Sequence, residues 1–86
     1  MITAATMENR MLRSGAGPEK LLQLGMIYSS GRAVPADMVA AHKWFNIAAW
    51  RGNAHAAELR REIAEEMSEA QIAAAQRAAR DWITRH

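Results

Sequence analysis

The chain has no cysteine. That excludes disulfide staples, thiolate zinc sites and catalytic thiols together. Aromatic residues are scarce, with three Trp, one Tyr and one Phe. Prolines and glycines are also few, and all of them precede Asn53. No apolar run is long enough for a membrane span. The N-terminal stretch MITAATMENRMLR lacks the charged start and continuous apolar segment of a signal peptide, so the expected location is the cytoplasm. An excess of one charge is missing too. Eleven Lys and Arg against nine Asp and Glu leave a formal charge of +2. That describes an ordinary solvated surface better than a nucleic-acid footprint.

Half of the 86 residues are apolar. This is enough for a core and too much for a disordered chain, and the length allows one domain at most. No stretch alternates apolar and polar residues long enough for a strand, so the expected class is all-α. Residues 1–17 read as an N-terminal segment, loosely helical or flexible, with Met7, Met11 and Leu12 near one another. Pro18 suits the first turn of a helix that runs to Ser30, and Gly31 closes it as a left-handed cap. A further helix opens at Ala36 or Asp37, continues to Arg51 and stops at Gly52. Asn53 caps a fourth helix, Ala54 to about Met67. Ser68 and Gln71 form a capping-box signature for a fifth, Glu69 to about Arg85.

The stretch His42 to Asn53, HKWFNIAAWRGN, gathers most of the chemically capable side chains. On a helical wheel Ala41, Trp44, Phe45 and Ala48 share one face, which is a packing stripe. A base-stacking platform needs exposed aromatics among clustered cations, and neither Lys43 nor Arg51 is expected to flank this face. Trp50 lies roughly opposite, with Val39, Lys43 and Asn46. It is expected either to be covered by the chain's termini or to meet a partner. His42, His55 and His86 do not converge in sequence as metal ligands do, and no glycine-rich phosphate loop is present. Glu58, Glu62, Glu65, Glu66 and Glu69 interleave with Arg60 and Arg61 as a solvated face. Arg77, Arg80 and Arg85 would complement these acids if the last two helices ran antiparallel. No catalytic residue, metal or cofactor is expected.

The run LLQLGMIYSSGRAVPADMVAAHKWFNIAAWRGNAHAAEL resembles the Sel-1-like repeat, a relative of the tetratricopeptide repeat. The resemblance rests on Leu24, Gly25, Tyr28, Gly31, Val34, Asp37, Ala41, Trp44, Phe45, Ala48, Ala49 and Gly52. Ala33 departs from it, standing where the family usually has a second glycine. The resemblance implies a short α/α solenoid. Residues 18–53 would form one helical hairpin and residues 54–86 a C-terminal helical cap. Gly25 would let the two helices of the hairpin cross closely, and Tyr28 would pack near Trp44 and Phe45. The implied function is non-catalytic: an adaptor or scaffold that binds another protein. Leu22, Met26 and Ser29, on the first helix of the hairpin, are the candidate contacts, together with Trp50. One alternative is a homodimer through residues 1–30, the side left without a clear cap. A weaker one is nucleic-acid binding through Arg51, Arg60, Arg61, Arg77 and Arg80.

Overall fold

A computed structural model describes residues 2–86. Five helices follow one another: α1 (Ala4–Leu12), α2 (Pro18–Ser30), α3 (Met38–Trp50), α4 (Ala54–Ala64) and α5 (Glu69–Arg85), with no strand among the described residues. Short polar side chains start four of them. Thr3, Asp37, Asn53 and Ser68 each accept a hydrogen bond from the backbone N–H three residues on, satisfying one of the donors a helix start leaves free. At Ser68 the box is complete, because Gln71 returns a bond to the Ser68 N–H. α2 instead begins on Pro18 and ends on Gly31, whose φ of 69° is left-handed and whose N–H reaches the Ile27 carbonyl.

The loop after Gly31 carries no backbone strain. No described non-glycine residue has a positive φ, so Ala33 takes an ordinary conformation. Val34 turns inward and is buried. The Asp37 N–H bonds the Tyr28 carbonyl at 3.0 Å. At the other end, Arg51 donates to the Ala16 carbonyl. The start of each helix therefore lies by the end of the other, and α2 and α3 run antiparallel.

α3 is the hub. It packs along α2 and also carries α4 and α5. Its sequence explains this, because Ala41, Trp44, Phe45, Ile47 and Ala48 are all buried and together face more than one neighbour. The alanines let helices approach, and the rings fill the space between. Leu21, Leu24 and Tyr28 enter from α2, Ala56 and Ile63 from α4, and Ala79 from α5. The radius of gyration, 11.8 Å, matches the roughly 12 Å of a compact domain this size.

Three expectations change. The N-terminal segment forms a defined helix, and Met7 reaches the core. The fourth helix ends at Ala64 rather than near Met67, because the N–H groups of Glu65, Glu66 and Met67 bond carbonyls three residues back and tighten the chain into turns. The acids of α4 do not pair with the arginines of α5. Both helices pack on α3 rather than along each other, and among the described residues the one ion pair is local, His55 to Glu58 at 3.7 Å.

Candidate functional site

Gly25 and Phe45 set the spacing of α2 and α3. A β-carbon placed on Gly25 would collide with Cδ1 and Cε1 of the Phe45 ring and lie 3.0 Å from Cγ. Here glycine serves close approach rather than unusual backbone. Tyr28 is buried in the same core cluster as Trp44 and Phe45. Its hydroxyl donates to the Glu8 carboxylate and so ties α2 to α1.

The close approach leaves a groove on the far side of Phe45. Its walls are Met26, Ser29, Ser30 and Arg32 on one side and, on the other, Leu59, Glu62 and Ile63 of α4 with Glu66 in the turn beyond it, with a volume of about 440 Å³. Phe45, Leu59 and Ile63 make the floor apolar. Met26 stands over it 49% exposed, an unusual position for a large apolar side chain. Ser29 lines the groove but turns its hydroxyl back to the Met26 carbonyl at 3.1 Å. Leu22 is half-buried against the core and does not line the groove. Of the sequence candidates, then, Met26 and Ser29 come together, while Leu22 and Trp50 stand apart. The α4 residues were not foreseen. Their signal was the stripe Leu59, Glu62, Ile63, Glu66, at i, i+3, i+4 and i+7, whose apolar half looked like plain core.

Trp50 was expected to be either covered by the chain's ends or free to meet a partner. The chain's ends do not cover it, and it is 58% exposed. Those ends are engaged elsewhere: α1 packs on α2, and Trp82 and His86 line a cleft with Glu8, Asn9, Leu12 and Arg13. His86 stacks on Trp82 at 4.1 Å, and Trp82 meets Trp44 edge-on at 5.6 Å. The Arg51 guanidinium lies 5.3 Å from the Trp50 ring and 5.7 Å from the Trp82 ring, neither of them on the packing stripe. Lys43 does flank that stripe, contrary to the sequence reading, with Nζ 4.2 Å over Trp44. But Trp44 is buried, so its ring offers no face to a base. Among the arginines considered for nucleic acid, Arg51 bonds Ala16 and Arg60 bonds Asn46. No group of three or more His, Asp or Glu converges among the described residues.

Two buried groups make stability depend on pH. His42 is buried, with Nδ1 lacking a partner. Burial, and then the Arg60 charge, hold its pKa below the ordinary 6.5. The unfolded chain takes up that proton more readily. The contribution of neutral His42 is therefore present above pH 6.5 and lost as pH falls below it. Tyr28 is shifted the opposite way. Burial, the Glu8 hydrogen bond, and the charges of Glu8 and Asp37 raise its pKa above the ordinary 10.0. Its contribution is present below pH 10.0 and lost as pH rises beyond it. Thermal melts across pH should show both limbs. His42→Leu should flatten the acid one. Tyr28 is the only tyrosine, so tyrosinate absorbance reads it directly, and Glu8→Gln should bring its titration to lower pH.

Comparison with protein-family models, curated proteins and solved structures gives no match. No helix among the described residues is long and apolar enough to cross a membrane.

Proposed function

We propose that the protein is a non-catalytic interaction module of the Sel-1-like type, a short α/α solenoid that binds another protein in the groove between α2 and α4. The cytoplasm is its proposed location. The observation that carries this reading is Met26, held 49% exposed above an apolar floor. Exposed apolar surface in a concave setting is what a binding site offers a partner. The repeat reading draws support from the antiparallel α2 and α3, from Gly25 against Phe45, and from Asp37 and Gly31 at the helix ends.

The larger cleft beside Trp82 suits a partner less well. Glu8, Asn9 and Arg13 make its walls polar, and Trp82 is already stacked on His86. The alternative, a homodimer through residues 1–30, has no observation of its own in its favour; within that stretch α1 packs on α2 and Met7 is buried in the core.

The test is affinity purification from the native host with three baits: the wild type, Met26→Gln and Trp50→Ala. A partner retained by the wild type and Trp50→Ala but lost from Met26→Gln is expected. Equal recovery by all three, or recovery by none, removes the proposal.

A further inference from the structure

The groove's two walls differ in charge. One side carries Glu62, in the last turn of α4, and Glu66, in the turn that follows it, and the opposite side has only Arg32. Neither glutamate has an ion-pair partner among the described residues. They border the apolar floor directly, so a segment seated on Leu59 and Ile63 would bring its flanking residues against them.

We infer that the groove takes a basic segment with an apolar anchor from a partner protein. A bulky apolar residue would sit against Met26 and Phe45, and flanking Lys or Arg would face Glu62 and Glu66. This rests on the reading of the groove as the binding site; the carboxylates select the sign of the occupant and do not make the site. Both glutamates are exposed, and carboxylates covered on binding would also disfavour an acidic segment, because like charges brought together at an interface oppose binding.

The whole molecule works against this preference. Its formal charge is +2, so unspecific attraction favours acidic peptides, and selection for a basic one has to come from the groove. Two fluorescein-labelled helical peptides of about 15 residues, with the same Leu and Ala positions, serve as probes. One carries Lys at every polar position and the other Glu.

In fluorescence anisotropy at low salt the Lys peptide should bind at least about tenfold more tightly than the Glu peptide, and its binding should weaken as salt is added. Glu62→Lys with Glu66→Lys should reverse the order. Met26→Gln should weaken the Lys peptide by about tenfold, with the helical circular dichroism of each variant confirming that it is folded. If the Glu peptide binds as tightly as the Lys peptide and Met26→Gln still weakens both, the charge selection is overturned and the groove stands. If neither peptide binds, both are overturned.

Discussion

Trp44→Ala is expected to destabilise the protein by about 3–5 kcal/mol, the usual cost of emptying a buried aromatic site. A domain of this size has little more than that to lose, on the order of 4–13 kcal/mol in total. The variant should be largely unfolded near physiological temperature, with urea midpoints measuring the loss. The size follows from position. Trp44 is 1% exposed on the helix that all of α2, α4 and α5 pack against. It also carries Trp82 at its edge and the Lys43 ammonium over its face. Its removal therefore loosens several elements at once, and the site has few ways to collapse. Trp44→Phe should be much milder. The Trp44 Nε1–H is buried without a partner, and a phenyl ring removes that unsatisfied donor while keeping most of the packing. A loss as large as that of alanine would show that the indole N–H does have a partner.

Gly25→Ala tests a smaller volume with an equally definite sign. On an exposed helix the change should stabilise by nearly 1 kcal/mol through propensity. Here the added carbon meets the Phe45 ring, which is 2% exposed and cannot turn away. Overpacking of this kind costs about 1–3 kcal/mol, so the net effect should be a loss of up to roughly 2 kcal/mol. Phe45→Leu alone should also destabilise, by leaving a gap. Combined with Gly25→Ala it should recover part of the loss, giving a coupling of more than about 0.5 kcal/mol in a double-mutant cycle. Stabilisation by Gly25→Ala would mean that α2 and α3 lie further apart than the Gly25–Phe45 contact requires.

Local signals carried much of the fold. Pro18, Gly31, Asp37, Asn53 and Ser68 act where their chemistry placed them, because caps depend on residues three or four apart. The stripe of Ala41, Trp44, Phe45 and Ala48 likewise announced burial by period alone. The end of α4 did not show, since no glycine marks it and the turn is made by backbone bonds that many sequences allow. Nor did the place of α1. Besides Met7 in the core, it is tied to α2 by a hydroxyl–carboxylate bond between Tyr28 and Glu8, twenty residues apart, and no periodicity encodes such a pair.

The groove was half legible. Met26 could be picked out as a candidate contact on its helix, but the wall that faces it comes from α4, whose distance and angle depend on how both helices sit on α3. The same limit explains Trp50. The wheel set it opposite the packing stripe, but whether the ends reach it depends on where α1 and α5 dock.

The measurement that bears most directly on the groove is site-specific photo-crosslinking in the native host. A photoreactive phenylalanine analogue would replace Met26 in one variant and Trp50 in another, with adducts identified by mass spectrometry. The account predicts a defined adduct to another protein from position 26, diminished when Glu62 and Glu66 are both changed to Lys, and none from position 50. Adducts from position 50 alone, or from neither position, would contradict it.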